Sequence, residues 1–496
     1  MKRLRRRLRW TAVTGLASVL AAGALGAPAL AGTRAALQGP MAKLIAAQKS
    51  ITVGSYRGQV FLDPGIYVAA LGSALEFDVQ RASYTKPITI TQVIHLPDGS
   101  TRTRPLPGSM LDGFYGLKNF LRLTITDSSG KVVASSAQAF CPNSYDPQRV
   151  TPGSPRTSPY PSSCGFDPFP RSLVMGVAKG WGVDPFGSPY GGSGFYRLAL
   201  GTYKVTATVT SAFRRLLHVS AADATAAVKL TVVKGVGCCG PRRPRPARAP
   251  ARALASLPRV PTLTHPPAAA LPDLVPLPSW GISTFHDRRS GRDLLNFGAT
   301  VWVGGNSPLD VEGFRSNGSP VMAAYQYFWR SGHVIGRVRA GTMGFDSRNG
   351  HNHWHFEQFA RYQLLSSGKN VALRSHKVGF CIAPSDPVNL LAPHAVWQPA
   401  FTGLSGACGS QTALWVQEMM PVGWGDTYFQ SVAGQSFDIT SVPNGTYYIE
   451  VIANPLHVLY ESNTRNDVSL RKVLLGGTAG HRTVTVPAWH GIDPEN

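Results

Sequence analysis

The chain has 496 residues with 52 Gly, 39 Pro and only 15% charged residues, and its 49 Lys+Arg against 26 Asp+Glu give a formal net charge of +23. A hydrophobic share of 43% excludes a wholly disordered chain. So much glycine and proline with so little charge excludes a coiled coil or helical bundle, which leaves a basic, turn-rich, mostly β protein with room for two or three domains of roughly 150 residues.

The first element is a targeting segment. Met1 to Arg9 holds Lys2, Arg3, Arg5, Arg6, Arg7 and Arg9 and no acid, and Trp10 to Ala31 is small and apolar, ending Ala29-Leu30-Ala31. A basic n-region, an apolar h-region and an A-x-A end predict a secretory signal peptide over 1–31. The alternative is a single anchor, because the stretch is almost long enough to span; its Gly, Ala and Pro content favours cleavage. The paired arginines fit twin-arginine export only in part, so the export route stays open. No later stretch approaches spanning length, so the expected product has no stable membrane span. It is secreted, extracellular or cell-wall associated.

Residues 32–235 are expected to form an N-terminal β-sandwich domain. Ile88-Thr-Ile-Thr-Gln-Val-Ile, Leu121-Arg-Leu-Thr-Ile-Thr and Tyr203-Lys-Val-Thr-Ala-Thr-Val alternate apolar with polar, the period of half-buried strands. Asp98-Gly99-Ser100 and Asp127-Ser-Ser-Gly130 are the expected turns. A long insertion runs from Asn143 to Ser193, and no metal-ligand or catalytic spacing occurs in this half. Six cysteines suit an exported chain. Closing the Pro-, Ser- and Tyr-rich loop between Cys141 and Cys164 makes that pair the first expected disulfide, with Cys381–Cys408 the second. Adjacent Cys238 and Cys239 leave their pairing open.

Residues 236–270 read as a Pro/Arg-rich linker. Arg242, Arg243, Arg245, Arg248, Arg252 and Arg259 lie among prolines with no acid nearby, an extended and semi-rigid composition. Signal and linker together hold twelve positive charges, about half the excess. Nucleic acid is not expected as a partner, because the chain is exported and has no aromatic-interleaved basic stripe. An anionic cell-wall polymer is the candidate neighbour of the arginines, against a plain solvated spacer.

After the linker, Asn296-Phe-Gly-Ala-Thr-Val-Trp-Val, Tyr325-Gln-Tyr-Phe-Trp and Gly445-Thr-Tyr-Tyr-Ile-Glu-Val-Ile-Ala again read as strands. The expected architecture is therefore two antiparallel β-sandwich-like domains joined by the linker. The densest chemistry is Gly350-His351-Asn352-His353-Trp354-His355-Phe356. In a strand His351, His353 and His355 project from one face, while Trp354 and Phe356 turn the other way for burial. Three converging imidazoles suit copper or zinc, and spacing does not separate the two.

The same stretch, continuing to Leu364, resembles the copper-binding segment of the lysyl oxidase family. Leu271-Pro-Asp-Leu-Val-Pro276 is similar to the opening of that family's catalytic domain. His376-Lys377-Val-Gly-Phe-Cys381 resembles its H-K-x-x-F-C. Gly425-Asp-Thr-Tyr428 with Phe437-Asp-Ile-Thr440 resembles its D-T-Y and D-I-T segments, and Asn454-Pro455 with Glu461-Ser462 and Asn466 its closing stretch. The resemblance runs from Leu271 to about Leu475, which marks 271–480 as the expected catalytic domain and 481–496 as a tail. It implies copper on His351, His353 and His355, and a lysyl tyrosylquinone formed from Lys377 and Tyr428. It also implies a copper-dependent amine oxidase that converts primary amines, peptidyl lysine or small amines, to aldehydes with O2 and releases H2O2 and ammonia. A nucleophilic lysine of this kind must be neutral, through burial or a nearby cation.

Two departures stand out. Lys377 and Tyr428 are farther apart than the family's pair, with Cys408 to Gly423 resembling an insertion, and the family's dense cysteine set is mostly missing. Asp426, beside Tyr428, is a candidate general base. The competing expectation is a non-catalytic copper-binding or cell-surface β-sandwich protein. A zinc hydrolase is a weaker third, without the His/Glu motif it needs.

Overall fold

The computed structural model describes residues 41–144, 146–186, 194–235, 260–315, 319–347, 353–399, 408–432 and 434–495. The expected signal peptide, most of the Arg/Pro segment, Cys238, Cys239 and His351 lie outside them. Among the described residues the protein is built of short strands in several sheets, with one α-helix, Ser211–Leu217.

In the N-terminal half the period-2 stretches become strands with alternating burial. The largest sheet there runs in the order Ser50–Ser55, Thr225–Lys234, Gly201–Val209, Leu117–Asp127, Val132–Phe140. Val205, Ala207 and Val209 point inward and meet Leu121, Leu123 and Ile125, while Lys204, Thr206 and Thr208 point away. Pairing is antiparallel except where Ser50–Ser55 runs parallel to Thr225–Lys234. The turns follow from their residues. Asp127 Oδ1 accepts the backbone N–H groups of Ser129 and Lys131, and Gly130 takes φ +86°, a left-handed value that glycine adopts without a Cβ penalty.

The C-terminal half carries three sheets. One joins Pro272–Pro276, Arg292–Gly305, Trp424–Tyr428 and Asp386–Pro387, with Trp280–Asp287 and Ser436–Asp438 also pairing on Arg292–Gly305. The second runs Gly379–Phe380, His353–Glu357, His333–Asp346, Val321–Arg330, Leu309–Phe314, Trp415–Met420. The third is led by Gly445–Ala453 between Ala360–Ser366 and Val468–Thr478. Among the described residues no helix is long and apolar enough to cross a membrane.

The halves share contacts and core. One connected apolar cluster extends from Met41 to Leu475. Part of the insertion lies between the halves: Arg171 N–H donates to the Val388 carbonyl, Leu390 N–H to the Ser172 carbonyl, and Phe169 packs with Leu277, Trp280 and Val388. At the end of the expected linker, Pro261 and Leu263 hydrogen bond to both sides of the Arg337 peptide. The last residues, expected as a tail, form the strand His481–Thr485 and then bring Trp489 against Tyr84 and Phe169.

Both expected disulfides are present, Cys141–Cys164 and Cys381–Cys408. The first closes a loop whose ends are 23 residues apart. In the chain-entropy account a cross-link of that span stabilises by about 3 kcal/mol by restricting the unfolded chain. Replacing Cys141 and Cys164 together by serine should lower the unfolding free energy by about that amount in a urea titration.

Candidate active site

The strand His353–Glu357 sets the first part of the site. Its imidazoles alternate with aromatic side chains, and the alternation sorts them by face. Trp354 and Phe356 are fully buried on one side, where the Trp354 indole donates to the Ser410 carbonyl and Arg315 lies 4.7 Å from its ring. His353 and His355 are buried on the other, with ring centroids 4.8 Å apart. Asp346, paired in register with His353 on the neighbouring strand, puts Oδ2 3.7 Å from His355 Nδ1. Gly379 makes room for this arrangement: a Cβ there would sit 2.9 Å from the His355 Cβ and 3.1 Å from Nδ1. Among the described residues no group of three or more His, Cys, Asp or Glu side chains closes into a metal cage. His351, the third imidazole of the pattern, lies outside them.

The second part brings Lys377 and Tyr428 together across 51 positions of chain. Lys377 is 7% exposed, and its Nζ lies 4.2 Å from the centroid of the Tyr428 ring and 4.8 Å from that of Phe380. A cation over ring faces is attracted by their quadrupoles, which offsets part of the cost of burying it. The stem is fixed from below. Lys377 N–H donates to Ser375 Oγ, Ser375 Oγ–H donates to the Gly434 carbonyl, and a Cβ at Gly434 would come 3.1 Å from the Lys377 Cβ. Gly434 also has φ +89°, so glycine is required there twice over.

Tyr428 ends the strand Trp424–Tyr428. Its hydroxyl accepts the Cys381 N–H at 3.0 Å and donates to the Cys381 carbonyl at 3.2 Å, and its ring stands edge-on to Phe380. Desolvation, then the carboxyl of Asp426, push this phenol well above its ordinary range, with Tyr362 and Glu418 adding to the effect. Asp426 lies on the same face of the strand as Tyr428 and is 4% exposed. Burial raises its carboxyl far above the usual carboxylate range, while the Lys377 ammonium opposes the rise. Its Oδ2 has no hydrogen-bond partner among the described residues.

Glu418 was not visible as a site residue from the sequence. It is fully buried, accepts the Ile382 N–H at Oε2, and is likewise raised by burial. Its neighbours, Trp415–Met420, look like an ordinary alternating strand, so only the closed structure shows that the acid faces inward. Tyr362 and Phe380 also complete the wall around Tyr428. A cavity of about 340 Å³, lined by Phe345, Asp346, His355, Glu357, His376 and Lys377, joins the histidine strand to the lysine. The opening and closing sequence motifs meet elsewhere: Leu274 N–H donates to Glu461 Oε2 and Asn466 Nδ2 to the Asp273 carboxylate.

Residues 330–483 match the model of the lysyl oxidase family. This part of the chain is lysyl oxidase-like. Lysyl oxidase homolog 1 of Homo sapiens is 35% identical over 123 residues, which cover 24% of this chain and 18% of that protein. Lysyl oxidase homolog 4 of Mus musculus is 28% identical over 133 residues, 27% of this chain and 16% of that protein. The chain thus spans less than a fifth of the length of these curated relatives. The N-terminal half lies outside the family match.

The donor set fits copper: two described imidazoles converge from one face of a rigid strand, and imidazole binds copper strongly. Because Gly379 is where the chain presses on His355, Gly379→Val should push that ring out of line. Copper binding measured by titration should weaken by about tenfold or more, a loss typical of disturbed ligand orientation, with the circular dichroism spectrum unchanged.

Proposed function

We propose that the protein is a secreted copper-dependent amine oxidase of lysyl oxidase type, acting on primary amines such as peptidyl lysine or small amines. The observation that carries this is the Lys377 amine 4.2 Å from the centre of the Tyr428 ring, with Lys377 and His355 both lining one cavity. The two side chains that lysyl tyrosylquinone would join come from separate elements and meet at this contact. His351, His353 and His355 would hold copper, which with O2 supplies the oxidation of the phenol that lysyl tyrosylquinone formation requires.

The chain's own groups then have separable tasks. The Cys381 peptide fixes the phenolic oxygen through both its N–H and its carbonyl, so the ring has one orientation toward Lys377. Ser375 and Gly434 keep the lysine stem extended. Asp426 sits against both members of the pair and is the carboxyl able to hold or accept a proton there. Glu418, buried with no cationic partner among the described residues, favours its protonated form and limits negative charge beside the phenol. Phe345, His376 and Gly379 are among the residues lining the cavity of about 340 Å³, which has room for an alkyl amine. The amine reaches it as a substrate in an exported setting, where O2 is the oxidant and aldehyde, ammonia and H2O2 are the products.

Peptide mass spectrometry of protein grown with copper should find Lys377 and Tyr428 in one cross-linked species. Lys377→Arg and Tyr428→Phe should each abolish the species and bring amine-dependent H2O2 release to background. Copper bound by the wild type without the cross-link would overturn the oxidase reading and leave a copper-binding β protein.

A further inference from the structure

The strand that presents Tyr428 has a second face, and the N-terminal half holds it. Thr427, between Asp426 and Tyr428, turns away from the catalytic pair toward Thr300 on the neighbouring strand. Its Oγ1 lies 2.8 Å from Thr300 Oγ1 and 3.2 Å from Asp386 Oδ2. Thr300 Oγ1 in turn lies 2.6 Å from Asp167 Oδ2. Asp167 belongs to the insertion 143–193, three residues after the Cys141–Cys164 disulfide. The backbone N–H groups of Phe166 and Asp167 grip Asp386, donating to Oδ1 and Oδ2 at 3.0 Å each. Phe166 also meets the ring of Phe429, the residue after Tyr428. Asp167, Asp386 and Thr300 have no solvent exposure.

Proton counting shows what this chain requires. Asp167, Thr300, Thr427 and Asp386 are linked by three hydrogen bonds in series. Each bond needs one proton, and the two threonine hydroxyls supply two. The third must sit on a carboxyl, so the intact chain holds one proton shared between Asp167 and Asp386. Two buried carboxyls in contact through hydroxyls cannot both ionise cheaply, and burial raises both, Asp386 raising Asp167 further. Arg81, Tyr84 and Tyr115 are the other titratable groups that face the pair, with Arg171 beside Arg81 and Tyr84.

We propose that Asp167 is a positioning residue of the catalytic half: through Thr300, Thr427 and Asp386 it fixes the strand that carries Tyr428, and so makes the N-terminal half part of the site. The proposal assigns a task to a half of the chain that the family match does not reach. That Tyr428 is the working tyrosine rests on the oxidase reading above; the hold on its strand does not.

Asparagine at 167 is the informative substitution. Its Oδ1 can keep the Phe169 N–H that Asp167 Oδ1 accepts, and its Nδ2 donates to Thr300 without needing the shared proton. The chain of bonds is then complete with Asp386 ionised. Amide hydrogen exchange of the full-length protein, corrected for intrinsic rates, reads this directly on residues 424–428. In Asp167→Ala those amides should exchange about tenfold faster or more than in wild type at about pH 6, while Asp167→Asn stays protected. Between about pH 6 and about pH 9 the wild type should lose protection as the shared proton leaves, and Asp167→Asn should not.

Equal exchange in Asp167→Ala and wild type overturns the proposal. If the alanine variant does not fold, identical pH responses of wild type and Asp167→Asn overturn it instead. The Lys377–Tyr428 cross-link, followed by mass spectrometry in the same samples, should fall in Asp167→Ala and return in Asp167→Asn. A wild type with no cross-link but with the expected exchange pattern would sink the oxidase reading and leave the hold on the strand standing.

Discussion

An ammonium and a phenol ring brought face to face inside a protein stay there only if both backbones are held from outside the pair. The attraction between them is modest, on the order of 2 kcal/mol when desolvated, and burying the lysine works against it. The rest of the candidate site can be understood as that restraint. Ser375 and Gly434 fix the lysine side. Cys381 fixes the phenol oxygen. The five-residue strand behind the ring is fastened on its far face by a hydroxyl–carboxyl chain that begins in the other half of the molecule.

The two faces of Trp424–Tyr428 divide the labour. Asp426 and Tyr428 face Lys377, and Thr427 faces the fastening. Both faces bury carboxyls, yet the surroundings differ. Asp426 has a lysine nearby and an oxygen without a partner, which suits proton exchange with a reacting group. Asp386 has each oxygen occupied by backbone N–H groups and a threonine, which suits permanence. Similar burial thus leaves an acid beside a lysine on one side and a fully engaged acid on the other.

Much of this was legible in the sequence because it depended on local periodicity. Alternation predicted the strands around Leu121, Tyr203 and Tyr325, and it separated Trp354 and Phe356 from the imidazoles they interleave. The loop between Cys141 and Cys164 was legible through its cysteines. Motif order drew attention to Lys377 and Tyr428 despite the distance between them. What stayed hidden depends on tertiary closure. Asp167 and Asp386 are 219 residues apart, and each alone looks like an ordinary turn aspartate. Glu418 sits in a strand whose pattern does not reveal which neighbour covers it. The packed end of the chain was hidden for the same reason, since Trp489 gains its role only from Tyr84 and Phe169.

The direction of the contact between the halves has a consequence in time. A chain is made from its N-terminus, so the loop carrying Phe166 and Asp167 exists before Asp386 and Thr427 have been synthesised. The earlier half is then a finished surface on which the later strands are laid down. Any chemistry between Lys377 and Tyr428 must wait for the strand Trp424–Tyr428 to settle, so a loop from the earlier half bears on the pair through that strand.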